Sequence, residues 1–346
     1  MSLALPRPPF AAVLIALLVL LVLVAVVAIG VGSVSIPPLR VARLLVAAIG
    51  APWSGPDADP ELVILMAIRV PRVLVAALVG AALAVAGAQM QGLFQNPMAS
   101  PDVIGTSTGA ALGAVLAIVF GLAAAHVAWL PAMACLGAGL SLAVIYALTT
   151  RRGRTPVAML LLAGVALNAL LSAMTAFVIS LSWVRYEVAQ EVVFWLMGGL
   201  DDRTWTHVWL AAPPVAIGLA AAIALARDLD LFSTGEEAAA TLGVDVERAK
   251  QRVLAVAALL SGTAVAVCGV IAFVGLIVPH ILRMLRGADN RFLIVASAIF
   301  GGTLLSLADL VARVSLRPAE LPIGIVTSVV GVPVFLTLLR RRRYVF

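Results

Sequence analysis

The side chains able to do chemistry are few and far apart in this chain of 346 residues. Histidines 126, 207 and 280 share no i, i+4 spacing that would set two imidazoles on one helix face, so metal ligation is not expected. Cys135 and Cys268 lie in apolar runs, form no CxxC or Cys/His cluster, and read as small core residues. No Gly-x-x-x-x-Gly-Lys-Ser/Thr loop occurs, so no nucleotide site is expected in the chain. No Ser/His/Asp arrangement and no carboxylate pair suited to proton relay is visible, and Asp309 is the one acidic candidate near the end of an apolar run. Catalytic residues, a metal and a resident cofactor are therefore not assigned, and a power source, if one is used, belongs to another subunit.

What remains is chemistry of contact. Residues 227–252 carry ten charged side chains, in a chain that is 63% hydrophobic. Within that island Thr234-Gly235-Glu236-Glu237 has capping-box spacing, and the two glutamates suit the positive end of a helix. Ala238 to Leu242 continue the helix, Gly243 stops it, and Asp245 can cap the next one through Glu247, Arg248 and Lys250. Leu242 and Val244 at the bend form an apolar knob ringed by charge, a shape that plugs into a groove on a soluble partner; a solvated loop is the alternative. Arg69 and Arg72 open an apolar run and either hold a partner's acidic groups or snorkel to lipid headgroups. Asn168, Ser172 and Thr175 fall at i, i+4, i+7 as a polar stripe, lining a water-filled path or bonding between helices. Gly105, Gly109 and Gly113 repeat every fourth residue as a close-packing seam.

The elements that position these groups must be membrane helices. Only 12% of residues are charged, against about 25% in a soluble domain, and uncharged runs of roughly 20 residues are long enough to cross a bilayer. The net charge of +6 comes from arginines in loops and termini, with Lys250 the only lysine, so nucleic-acid binding is not expected. Phe10–Val31 reads as a retained first span rather than a cleaved leader. The run 103–150 is long enough for two helices, broken near Gly121–Pro131. The basic clusters at Arg151–Arg154 and Arg340–Arg343 should both be cytoplasmic, which requires an even number of crossings between them. Only a break in Val253–Leu282, at Gly269, Gly275 and Pro279, makes the count even, with a short second piece from about Ala272 to Gly287. The expected fold is one all-α integral membrane domain over 1–346. It has ten spans, cytoplasmic termini and the island 227–252 between spans six and seven. Gly80–Gly87 and Gly262–Gly269 echo each other, as two inverted halves of five spans would. Arg69, Arg72, Arg313 and Arg317 then fall on the outer face, against the positive-inside bias.

Several segments, in order, resemble one family. They are Arg69-Val-Pro-Arg-Val-Leu-Val-Ala76, Val79-Gly-Ala-Ala-Leu-Ala84, Met90-Gln with Gln95-Asn-Pro-Met-Ala99, Leu162-Ala-Gly-Val-Ala-Leu-Asn168, Phe194-Trp-Leu-Met-Gly-Gly-Leu200, Phe273-Val-Gly-Leu-Ile-Val-Pro-His280 and Glu320-Leu-Pro-Ile-Gly-Ile-Val-Thr327. Together, from about Arg69 to Arg340, they are similar to the FecCD-type permeases of ATP-binding-cassette importers for iron–siderophores, haem and cobalamin. The resemblance implies a non-enzymatic permease of the bacterial inner membrane that works as a dimer, with a second copy of itself (a homodimer) or with a paralogue. It implies two ATPase subunits that bind ATP and Mg and grip the elbow formed by Gly235, Glu236, Glu237, Ala238, Leu242, Gly243 and Val244. It implies a periplasmic binding protein whose glutamates meet Arg69, Arg72 and Arg313. It implies a path lined by the fifth and tenth spans, with Asn168, Ser172, Thr175, Thr327 and Ser328. The overall likeness is to haem importers, with Arg185 placed to meet a propionate; a ferric siderophore and cobalamin are the alternatives. Two rival classes are a secondary transporter without ATPase, which should show an intramembrane ionisable pair, and a membrane enzyme, which should show clustered His or acidic residues at one membrane face; neither signal is visible in the sequence.

Overall fold

The computed structural model describes residues 9–32, 35–48, 59–182, 186–317 and 319–340. Among them the architecture is all-α. The helices are α1 (Phe10–Gly30), α2 (Pro38–Ala47), α3 (Pro60–Val63), α4 (Val70–Phe94), α5 (Thr106–Val119), α6 (Leu122–Ala125), α7 (Trp129–Thr149), α8 (Val157–Ser182), α9 (Tyr186–Leu196), α10 (Trp205–Phe232), α11 (Glu236–Thr241), α12 (Val246–Cys268), α13 (Val274–Arg286), α14 (Asn290–Ser315) and α15 (Ile323–Arg340). In lipid a backbone can satisfy its N–H and C=O groups only within itself, and this drives each apolar run into a helix.

Among the described residues seven helical stretches are long and apolar enough to cross a bilayer: α1, the rod from α3 through α4, α7, α8, α10, α12 and α14. The other three expected spans carry the shorter helices α5, α13 and α15. At 1.5 Å per residue α5 and α13 reach only about 20 Å of a roughly 30 Å hydrocarbon core. The long run 103–150 divides as expected, at Gly121, whose φ of 73° ends α5 and starts α6.

Two boundaries differ from the sequence reading. The break in Val253–Leu282 occupies Gly269–Phe273, while Pro279 lies inside α13. Gly269 has φ 72° and lies against α9, where a Cβ would stand 2.1 Å from the Trp195 carbonyl oxygen, so a glycine ends α12 there. Pro279 is the sixth residue of α13, so its missing N–H leaves the Gly275 carbonyl without its donor four residues on. The second span starts earlier than Arg69. α3 runs through a π-helical turn, Ile64–Arg69, into α4 as one rod. Pro71 lacks an N–H and crowds the carbonyl four residues back, and the wider π turn relieves that crowding.

α4 is the hub, packed against α10, α12, α13 and α14. Its small residues let backbones approach. A Cβ on Gly80 would stand 2.2 Å from the Gly301 carbonyl oxygen of α14, and one on Gly87 1.8 Å from that of Gly275 in α13. The predicted seam is equally tight. A Cβ on Gly109 would stand 2.4 Å from the Gly137 carbonyl oxygen of α7, and one on Gly113 2.0 Å from that of Met133.

Candidate functional site

The island 227–252 folds as an elbow of α11 and the start of α12. Gly235 with φ 101° turns the chain into α11, and Gly243 with φ 89° ends it. The expected capping box is not made: Thr234 Oγ1 donates back to the Leu231 carbonyl at 2.7 Å, because the glycine turn aims it at the helix just ended. Asp245 does cap, its Oδ1 accepting from the Arg248 N–H at 3.2 Å. Leu242 stands 61% exposed beside the exposed Glu236 and Glu237. Val244 instead packs inward against the main core, so the knob is Leu242 alone. Ala239 is buried and Ala238 half-buried, giving α11 one face on the bundle.

Beneath the elbow lies Lys250, 1% exposed. Its Nζ donates to Glu236 Oε2 at 2.7 Å, to the Thr155 carbonyl at 2.9 Å and to Glu247 Oε1 at 3.2 Å.

The arginines expected at the outer face are placed differently from expectation. Arg72 donates through Nε and Nη2 to Asp309 Oδ1 at 3.0 and 2.8 Å, and through Nη2 to Glu320 Oε2 at 2.7 Å, with Asp201 Oδ1 at 3.3 Å. Arg69 Nη1 donates to the carbonyls of Ile29 and Gly30 at 2.8 and 2.9 Å. Arg313 donates to those of Ala28 and Val31 at 3.0 and 3.2 Å. These carbonyls close the last turn of α1, which has no intrahelical donors left, so two guanidiniums cap it. Arg313 Nε also lies 3.0 Å from Asp309 Oδ2 without hydrogen-bond alignment, a coulombic contact only. Arg69, Arg72 and Arg313 are all buried. Within one chain they are not freely presented as docking groups: burial turns most of their donors to oxygens inside the fold. Exposed on this rim are Arg317 and Glu320. Arg72 with Asp309, at the start of α4 and near the end of α14, is also a buried ion pair, where the sequence reading expected none. Burial and a hydrogen bond with Glu320 push the Asp201 carboxyl up to about 6, although Arg72 pulls it down. Burial raises Glu320, but its bonds with Asp201 and Arg72 outweigh that and hold it below its usual value.

The polar stripe on α8 splits three ways. Asn168 Nδ2 donates inward to the Asp102 carbonyl at 2.7 Å, and its Oδ1 contacts Thr108. Ser172 is exposed. Thr175 is buried and donates to its own helix at the Leu171 carbonyl, 2.8 Å away. Thr327 bonds the Gly324 carbonyl at 3.1 Å and borders an apolar gap among α13, α14 and α15, with Ser328 half-buried beside it. Arg185 lies outside the described residues. α8 packs on α5, α7 and α9, and α15 on α13 and α14, so one chain does not bring Asn168 and Thr327 together.

The family model described as the FecCD transport family matches residues 18–341. The chain belongs to the FecCD transport family. FecCD relatives include a cobalamin import permease of Halobacterium salinarum, 43% identical over 311 residues, which cover 90% of this chain and 81% of that one. A hemin transport permease of Yersinia pestis is 40% identical over 84% of this chain and 87% of its own. An Fe(3+) dicitrate permease of Escherichia coli is 38% identical over 87% and 94%. A solved structure titled as an inward-facing metal-chelate type ABC transporter superposes with a TM-score of 0.84 at 33% identity, covering 96% of this chain and 99% of that one. The role that follows at family level is that of an ABC transporter permease, a multi-pass membrane subunit that is not itself catalytic.

Besides the buried Arg72–Asp309 pair, sequence reasoning missed two features of this FecCD chain. Lys250 was readable as the one lysine among 23 basic residues, but its partners at 155 and 236 come from other segments. α9 was hidden because its residues mix charge with aromatics; its Glu191 and Trp195 wall a cavity of about 720 Å³ that Asp201, Arg203 and His207 also line.

Proposed function

We propose that the chain is the membrane path of an ATP-driven importer for a metal chelate, with haem as the cargo. The observation that carries the ATP-driven reading is the elbow: an exposed leucine and two exposed glutamates on a short helix bonded into the bundle through Lys250. Such a helix transmits motion only if a partner holds it differently in two states. Two partner ATPases that bind ATP and Mg are the partners proposed, working on a homodimer of this permease. The homodimer is supported by the separation of α8 from α15 within one chain. A path lined by Asn168, Ser172, Thr175, Thr327 and Ser328, with Arg185 at its mouth, then needs helices from two copies. A periplasmic binding protein would meet the rim at Arg317 and Glu320, over the frame held by Arg69, Arg72 and Arg313.

Ten spans in two inverted halves, with both termini cytoplasmic in a bacterial inner membrane, complete the reading. It is supported by a swapped pair of close approaches. Gly80 of α4 meets α14, and Gly262 of α12 meets Ala138 of α7. Counted in fives these are second-with-ninth and seventh-with-fourth contacts.

Cobalamin is the second reading, favoured by the 43% identity to the archaeal cobalamin permease. Titrating the purified binding protein of the same system with haemin, cyanocobalamin and a ferric hydroxamate decides the cargo. Haemin binding with a Soret shift supports the first reading, and saturation by cyanocobalamin alone replaces it with the second. A secondary transporter, the rival class, would carry cargo without an ATPase. Transport into vesicles lacking ATPase subunits would sink the ATP-driven reading.

A further inference from the structure

Every basic residue in the chain but one is arginine, and that one, Lys250, is almost wholly buried. An ammonium is a compact charge with three donors that can point in three directions, whereas a guanidinium is a flat fork. Here the three donors meet three oxygens on three different segments. Glu236 opens α11, Glu247 lies in the first turn of α12, and Thr155 belongs to the connection between α7 and α8. Glu247 strengthens the third link, because its Oε1 also accepts from the Thr155 N–H at 3.1 Å. Both backbone groups of Thr155 are therefore held, two residues before α8 begins. A buried ammonium is costly unless so surrounded, and bonds in which both partners are charged are the stronger kind. The elbow's own turn is already closed by the Ala239 and Ala240 carbonyls and by Asp245. A tie to Thr155 adds nothing to that local fold. It joins the elbow to the root of α8.

We infer that Lys250 is a positioning residue that makes α11 and the start of α8 move as one body, so that force applied at the elbow reaches the helix bearing Asn168 and Thr175. This rests on the coupling role proposed above. The test uses the assembled complex with its ATPase subunits in lipid nanodiscs, with Cys135 and Cys268 replaced by alanine. Spin labels are placed at the exposed positions Ala240 on α11 and Arg152 before α8, with Arg291 at the start of α14 as reference. In the otherwise unsubstituted complex, trapping ATP with vanadate should move Ala240 relative to Arg291 and leave the Ala240–Arg152 distance unchanged. In Glu236→Ala, at a position 45% exposed and so tolerant of the change, the Ala240–Arg152 distance should shift with nucleotide by about 2 Å, the scale of helix displacements in switching proteins. Lys250→Met should do the same, and Glu236→Ala carries the test if Lys250→Met fails to assemble. An Ala240–Arg152 distance that stays fixed in Glu236→Ala overturns the role of Lys250 while the coupling reading stands. An Ala240 label that never responds to nucleotide overturns the coupling reading, and this inference with it.

Discussion

The elbow and the outer arginine cluster are built on the same device and put it to opposite ends. Each centres on a buried cation that gathers oxygens from separate segments: Lys250 at one face, Arg72 at the other. At the elbow the apolar and acidic tips project beyond the anchor, with Leu242 in solvent. Around Arg72 the anchor draws acids from three segments inward, and Asp309 is 1% exposed. A cluster that holds helix ends together and a cluster that offers a surface can thus carry the same residue types.

The sharpest way to break this comparison is to remove each centre. Arg72→Ala leaves Asp309 buried with only a poorly aligned Arg313, and removing one partner of a buried pair costs about 3–5 kcal/mol. Thermal unfolding in detergent should show that loss, while Leu242→Ala should leave the midpoint nearly unchanged. Equal stability of the two variants would erase the distinction.

A smaller effect is expected within α11. Ala240→Pro costs about 3 kcal/mol of local helix and should uncouple ATP hydrolysis from transport while the spans stay folded; Glu237→Ala should weaken coupling in the same direction. Normal transport per ATP in the proline variant would remove the elbow's role. Smaller again, Asp245→Ala removes the cap on α12 and should cost about 1 kcal/mol, read as faster hydrogen exchange at residues 246–248.

The smallest effect sharpens the outer face. The Asp201 carboxyl is raised to about 6, above the usual aspartate value near 3.9. Its contribution is therefore full below the unfolded value and is lost as pH rises through about 6. Exchange protection of residues 199–203 and 319–322 should fall across that pH, and Asp201→Asn should flatten the dependence.

How much of this was legible follows from what each feature depends on. The helix breaks at Gly121 and Gly243, the Asp245 cap and the seam at Gly109 and Gly113 depend on local backbone rules, and each was readable. The Thr234 cap failed because Gly235 takes the N-cap position of α11, and the Thr234 hydroxyl donates back to the Leu231 carbonyl instead. The inward turn of Arg69, Arg72 and Arg313 was not legible. It depends on α1 ending beside α4 and α14, contacts between residues 40 to 285 positions apart. The stripe of Asn168, Ser172 and Thr175 had the right period, but the period cannot say which neighbour each residue meets.

The central claim is that Leu242 faces the cytosol and is covered by a nucleotide-driven partner. Leu242→Cys, in a chain with Cys135 and Cys268 replaced by alanine, can be labelled with an impermeant maleimide in vesicles of either orientation. The account predicts labelling from the cytosolic side only, and protection once the ATPase subunits are bound. Labelling from the outside, or a rate the ATPase does not change, would contradict it.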